Sequence, residues 1–308
     1  MTMGVLPWTL VAFLLSLCSL TAFIRRCPRR LLDFPGGRKA HSRPIPLGGG
    51  LAALSGMLPV SVAIVVEGRA GSGLLLQWGA TFSIFLVGIA DDLSAKSMPA
   101  RTKAVATLLC LLLAIESPFL EFLLVLIPAF LLLHSFNTSD NVDGLAAGLG
   151  VISLTLLVLV DVGAGRLELA RCEGALGGAL CAFLFFNFPC ARVFLGDGGA
   201  LFIGGWFAWR LLTDREPWLL ALGAVPLADL LSVSWLRVRA GSRPWVGDLR
   251  HLSHRLVTRG LSPVASVVVL WAVHALLATL SWGLCQHAGW SFTSVAVILL
   301  AAAASLRV

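Results

Sequence analysis

Charge is scarce in this chain. Asp, Glu, Lys and Arg make up 13% of its 308 residues, against roughly 25% in soluble proteins, which excludes an ordinary soluble enzyme. The remaining composition agrees, with 58% hydrophobic residues and a mean hydropathy of +0.91. No polar stretch is long enough to hold a separate domain, so residues 1–308 read as a single integral membrane domain. No repeat or low-complexity tract points to a solenoid or an inverted-repeat transporter. The seven cysteines, Cys18, Cys27, Cys110, Cys172, Cys181, Cys190 and Cys285, form no C-x-x-C pair and lie in or beside apolar blocks. That excludes a zinc or disulfide framework. The first apolar block, Val5 to Ile24, also lacks a preceding positive residue, while Arg25, Arg26, Arg29 and Arg30 follow it. A signal peptide has the reverse polarity, so this block is expected to be a spanning helix that starts outside.

What the chain has is apolar runs of membrane length, about 20 residues each. Candidate spans are 5–24, 48–66, 74–90, 104–116, 119–136, 144–162, 174–189, 199–212, 217–236, 264–284 and 290–306. The expected fold class is therefore an all-α polytopic membrane protein with about eleven helices, or ten if a short block such as 104–116 or 199–212 is misjudged. Cytoplasmic loops carry the excess of Lys and Arg. With the start outside, the inner loops and tail hold 18 of these residues and the outer side 5. The same sorting puts Asp91, Asp92, Asp140, Asp143, Asp197 and Asp248 at the inner side.

Five inner segments carry polar chemistry. In DFPGGRKAHSRPIPLGGG (residues 33–50), glycines and X-Pro turns carry Arg38, Lys39, His41 and Arg43 to the membrane surface, where they suit phosphate or simply anionic lipid. In GIADDLSAKSMPARTK (88–103), Asp91 and Asp92 end an apolar helix and Lys96, Arg101 and Lys103 follow. Carboxylates on a hard cation with basic residues on substrate phosphates is a common division of labour in Mg2+ sites. In HSFNTSDNVDGLAAGL (134–149), Asp140 and Asp143 share a helical face with Asn137, and no Lys or Arg explains them as topology signals. In NFPCARVFLGDGGALFIGG (187–205), Asp197 sits among glycines at the mouth of a helix, which makes it the best candidate metal ligand, with Asp143 as a candidate second. In RVRAGSRPWVGDLRHLSHRLVTRGLS (237–262), His251 and His254 are flanked by Arg250 and Arg255. Without a cysteine or third histidine beside them, phosphate fits this pair better than zinc. Asp229, inside an apolar block, reads equally as a functional acid or as the partner of Arg237 or Arg239.

RKAHSRPIPLGGG, the Asp91–Asp92 pair with its downstream Lys and Arg, NTSDNVDGLAAG, FLGDGGALFIGG and HLSHRLVTRGLS, in this order, resemble the polyprenyl-phosphate N-acetylhexosamine-1-phosphate transferases, a branch of glycosyltransferase family 4. The resemblance implies a phosphotransferase that moves a sugar-1-phosphate, GlcNAc-1-phosphate first among candidates, from a UDP-sugar to undecaprenyl or another polyprenyl phosphate, releasing UMP. It implies Mg2+, with Mn2+ able to substitute, and an early membrane step of cell-envelope polysaccharide synthesis. By the same resemblance Asp197 holds the metal, while Asp91, Asp92, Asp140 and Asp143 complete its shell or orient the nucleophile. Lys39, His41, Lys96, Arg101, Asn137, Arg250, His251 and His254 would bind phosphate or nucleotide. The expected partners are UDP-sugar, polyprenyl phosphate and the bacterial inner membrane, with the site on its cytoplasmic side. No nucleic acid is expected, and a homodimer is left open.

Some positions depart from the family pattern. His134 stands where an asparagine is usual, Asn141 where glycine is usual, Leu249 for a common arginine, and Ser253 interrupts a fuller histidine cluster. Gly199 and Ala200 replace the usual Gly-Ser or Ala-Gly-Ser run. None removes a carboxylate, but they bear on the identity of the sugar. A transporter or flippase of lipid-linked sugars is the rival class, and it would place ionisable groups near the bilayer midplane rather than at one surface.

Overall fold

The computed structural model describes residues 4–35, 41–94, 97–114, 119–288 and 301. Long apolar runs fold as helices because a helix satisfies its own backbone N–H and C=O groups where no water can. In chain order these are α1 (Val5–Arg26), α2 (Gly49–Val66), α3 (Ser72–Asp92), α4 (Ala100–Leu111), α5 (Phe119–Ser139), α6 (Leu145–Gly163), α7 (Leu167–Asn187), α8 (Gly196–Asp214), α9 (Ala224–Arg239), α10 (Leu252–Thr258) and α11 (Pro263–Ala288). Among the described residues, eight spans are long and apolar enough to cross a membrane: α1, α2, α3, α5, α6, α7, α11, and α9 together with the 3-10 turn Pro217–Gly223 that leads into it. The all-α membrane class is borne out. Among the described residues the strands are one short antiparallel pair, β1 (Leu32–Asp33) with β2 (Ile45–Pro46).

The described residues hold fewer spans than the expected eleven. Residues 104–111 fall on α4, which has 12 residues, too few to cross unaided, and 112–114 on a 3-10 turn, while 115 and 116 lie outside the described residues. Residues 199–212 lie within α8, whose Asp197, Arg210, Asp214 and glycines dilute its apolar content. The physical reason is its place. Every residue of α8 from Gly198 to Leu212 is buried, because α2, α3 and α5 pack around it, so protein surrounds it and lipid does not. Residues 290–306 lie outside the described residues.

α8 also ties together charges far from its N-terminus. Arg210 reaches Asp161 of α6 at 2.7 and 3.2 Å and Asp214 at 2.7 Å, and it contacts Glu173 of α7. Arg166 joins the same cluster through Asp161 and Asp214, at 2.5 and 2.9 Å. Beside it, Arg171 bonds Glu67 and Glu168 at 3.2 and 2.9 Å. A buried ion pair is tolerated only when its desolvation is offset by close, multiple contacts, and these arginines supply them.

Candidate active site

Four polar turns meet at the N-terminal end of α8. The loop after α1 folds back through β1 and β2 and is fixed by Phe194, whose N–H donates to Pro46 at 2.8 Å and whose carbonyl accepts from Gly48 at 3.0 Å. The turn between α5 and α6 reverses at Gly144, which has φ +80° and donates its N–H to Asn187 at 2.6 Å. Asn187 also donates to Val193 at 2.9 Å, so one side chain joins the end of α7 to the segment before α8. The result is a cleft of about 1750 Å3 lined by Asp91, Asp92, Asp140, Asp143 and Asp197, together with His41, His254, Arg29, Arg30 and Arg43.

The carboxylates differ in what they hold. Asp92 caps α8, accepting the Asp197 and Gly198 N–H groups at 2.9 and 3.0 Å, where the helix dipole favours a negative group. This approach requires glycine at two positions. A Cβ on Gly88 would sit 2.5 Å from the Asp197 carbonyl oxygen, and Gly196, at φ +72°, faces Asp92 so closely that a Cβ would lie 2.7 Å from its oxygen. Asp143 accepts the Ala191 N–H at 2.9 Å. Asp91 accepts the Met98 N–H, and both Asp91 and Asp197 contact the Lys103 ammonium. Asp140 opens onto the cleft and still has protein packed around its carboxyl. That enclosure, then the charges of Asp197, Asp92 and Asp143, push its pKa up to about 8. Enclosure also raises Asp143. The cleft is thus overloaded with negative charge.

Other predicted residues divide. His41 is in the cleft, its Nδ1 donating to the Arg43 carbonyl at 2.8 Å and its Nε2 3.0 Å from Asp33. His254 is in the cleft, its pKa lowered by burial and then by neighbouring His251. His251 is buried and turned away: its Nδ1 meets Asp229 at 2.8 Å and its Nε2 faces Arg237 at 3.4 Å. Asp229 also accepts the Leu252 N–H at 2.6 Å, so its partner is the histidine loop and neither Arg237 nor Arg239. Arg250 turns onto α9, donating to the Leu236 carbonyl at 3.0 Å. Arg101 stacks over Trp245 at 5.7 Å. Asn137 does not line the cleft, and its Oδ1 is buried with no hydrogen-bond partner among the described residues. Lys39 and Lys96 lie outside the described residues.

A cleft of aspartates rimmed by arginines, ordered along the chain as the five motifs are, can be compared with known proteins. Residues 74–214 match the family model of glycosyl transferase family 4. The resemblance carried by the motifs is borne out. The chain is 28% identical to the probable undecaprenyl-phosphate N-acetylglucosaminyl 1-phosphate transferase of Bacillus subtilis (strain 168), over 85% of this chain and 81% of that protein. It is 24% identical to the undecaprenyl-phosphate alpha-N-acetylglucosaminyl 1-phosphate transferase of Yersinia pestis, over 80% of this chain and 75% of the relative. The enzyme of that name from Escherichia coli (strain K12) is also 24% identical, over 84% and 78%.

The segment matched by the family-4 model contains all five cleft aspartates, and it also contains Lys103, whose place in an inner loop makes it look like one more basic residue. Its signal was there: a lone lysine in the first turn of a helix whose downstream residues are apolar. Arg29 and Arg30, read as topology charges, line the cleft as well. The aspartates are the right kind of donor for a hard divalent cation. Among the described residues, though, no group of three or more His, Cys, Asp or Glu side chains is arranged to hold a metal. Asp91 and Asp197 do converge, and the group between them is the Lys103 ammonium. The aspartates therefore suit a cation in chemistry, and Asp91 and Asp197 are the pair brought together around one positive group.

Proposed function

We propose that this protein transfers a sugar-1-phosphate, GlcNAc-1-phosphate first among candidates, from a UDP-sugar to undecaprenyl or another polyprenyl phosphate in a Mg2+-dependent reaction at the cytoplasmic face of the bacterial inner membrane. The observation that carries it is the convergence of five aspartates from three segments in one cleft rimmed by Arg29, Arg30 and Arg43. The relatives' names supply the sugar and the lipid, and the 18 to 5 division of basic residues supports the side of the membrane.

In this reading a phosphate oxygen of the lipid attacks the sugar-linked phosphorus. A new P–O–P bond forms, the bond from that phosphorus to the UMP oxygen breaks, and UMP leaves with the electron pair. The attacking phosphate needs no strong base, since its second pKa is about 6 and it is mostly dianionic at neutral pH. Bound Mg2+ would neutralise charge on the diphosphate oxygens. Asp197 and Asp91 are the residues that would hold it. Asp92 keeps the start of α8 in register with the end of α3, and Asp143 does the same for the segment before α8. The arginines at the rim draw the two anionic substrates together, which is worth most when positioning dominates the barrier. His254, its pKa lowered, is largely neutral at pH 7 and offers a phosphate a hydrogen bond without full charge.

The test is purified protein with undecaprenyl phosphate, Mg2+ and a panel of UDP-sugars, scoring UMP and a lipid-linked product. UMP released only when all three are present is the expected result. Folded protein that yields no UMP from any donor sinks the reading.

A further inference from the structure

We propose that the Lys103 ammonium is the resident counter-ion of this cleft, and that a divalent cation enters by displacing it from Asp91 and Asp197, which frees Lys103 to meet the phosphates of the substrate. This rests on the transfer reading for the identity of the substrate, but not for the exchange itself. Lys103 contacts one oxygen of each carboxylate, and its side chain is 13% exposed. The remaining cleft aspartates take different partners: Asp92 and Asp143 accept backbone N–H groups. Among the described residues, Lys103 is the cationic side chain in contact with these carboxylates.

The carboxylate oxygens cannot serve both guests. Mg2+ sits about 2.0–2.1 Å from its oxygen ligands and demands near-octahedral geometry, so a cation shared by Asp91 and Asp197 takes the place the ammonium holds. Two cations packed there would repel each other. The lysine's backbone is anchored in α4, where its carbonyl accepts from Thr107 Oγ1 at 2.9 Å, and the rotatable bonds of its four-carbon stem let the ammonium move while the helix stays in place. Thr107 also faces His134 Nε2 at 3.0 Å, so α5 buttresses that turn while the side chain moves. The exchange makes cation binding and substrate binding mutually supportive, because arrival of the cation releases a positive group beside the diphosphate.

The chain has three lysines, Lys39, Lys96 and Lys103, so amine footprinting reads Lys103 cleanly. In wild-type protein in nanodiscs, Mn2+ is expected to speed acylation of Lys103 by at least about fivefold, since an ion-paired ammonium is protected and a released one is not. Lys39 and Lys96 serve as internal references. Unchanged or slower acylation of Lys103 on Mn2+ binding overturns the exchange. In the second arm, Mn2+ affinity is read by electron paramagnetic resonance. Lys103→Met, which removes the competitor, should bind Mn2+ at least about tenfold more tightly than wild type, whereas Lys103→Arg should not. Equal or weaker binding by Lys103→Met overturns the proposal, and if that variant does not fold, the wild-type footprint decides. The two readings separate cleanly. Exchange without UMP release from any donor leaves the counter-ion role standing and removes the transfer reaction; UMP release with Mn2+ affinity and Lys103 reactivity unmoved does the reverse.

Discussion

About 16 residues along α6 separate Leu145, beside the cleft, from Asp161, roughly 24 Å at 1.5 Å per residue. At the Asp161 end, Arg210, Arg166, Arg171 and Arg69 divide Asp161, Glu173, Asp214, Glu67 and Glu168 among them, every acid touching a guanidinium. At the cleft end, Asp91 and Asp197 share one ammonium, while Asp92 and Asp143 accept backbone N–H groups. Similar acids are thus neutralised in one place and left with surplus negative charge in the other. Paired acids hold helices together; surplus acids hold a place for charge that arrives with a ligand.

Two substitutions should pull these ends apart. Arg210→Met leaves the fully buried Asp161 and Glu173 short of their principal guanidinium, and removing one partner of such a cluster costs about 3–5 kcal/mol. Unfolding in detergent, followed by loss of helical signal, should show a drop of that size, and an unchanged midpoint would erase the structural role assigned to the Arg210 cluster. Asp197→Asn should do the opposite. It removes charge from an overloaded cleft, so stability holds or rises, while transfer falls by about 10²–10³-fold, the scale of losing one preorganised electrostatic group. Near-wild-type rates, or destabilisation matching that of Arg210→Met, would make the two ends alike.

The two ends were unequally legible in the sequence. The apolar runs announce their helices, and five of the candidate aspartates are placed in the cleft because each ends or begins an apolar run, where a carboxylate has no packing use. What a carboxylate touches is a tertiary matter. Asp229 has two arginines within ten residues, yet folds against His251 and Leu252, because α9 and the loop before α10 bring those groups closer. Arg250 and Arg101 read as phosphate ligands by charge and position, but an arginine's long stem and planar head find a carbonyl or a tryptophan just as readily. α8 misled in the same way: its glycines and charges looked like a weak span and mark a helix enclosed by protein.

The smallest expected effect concerns how the acids of the cleft are held relative to His254. Two departures from the family pattern, Asn141 and Ser253, touch each other: Ser253 Oγ donates to Asn141 Oδ1 at 2.7 Å, and Asn141 Nδ2 donates to the Thr138 carbonyl at 2.8 Å. Ser253 is buried and sits beside His254 on α10, while Asn141 follows Asp140 in the turn. The bond therefore ties the acidic turn to the helix that carries His254 into the cleft, opposite the anchor that Asp229 provides from α9. A net hydrogen bond of this kind contributes about 1 kcal/mol. Ser253→Ala and Asn141→Ala should each lower stability by about that amount, and the double variant should cost clearly less than their sum, because each single change already breaks the shared contact. If the link also sets the width of the cleft, KM for the UDP-sugar should rise in both single variants more than kcat falls, and Ser253→Thr, which keeps the hydroxyl, should restore it. Strict additivity of the two substitutions would show that the contact carries no energy, leaving the acidic turn and α10 positioned independently.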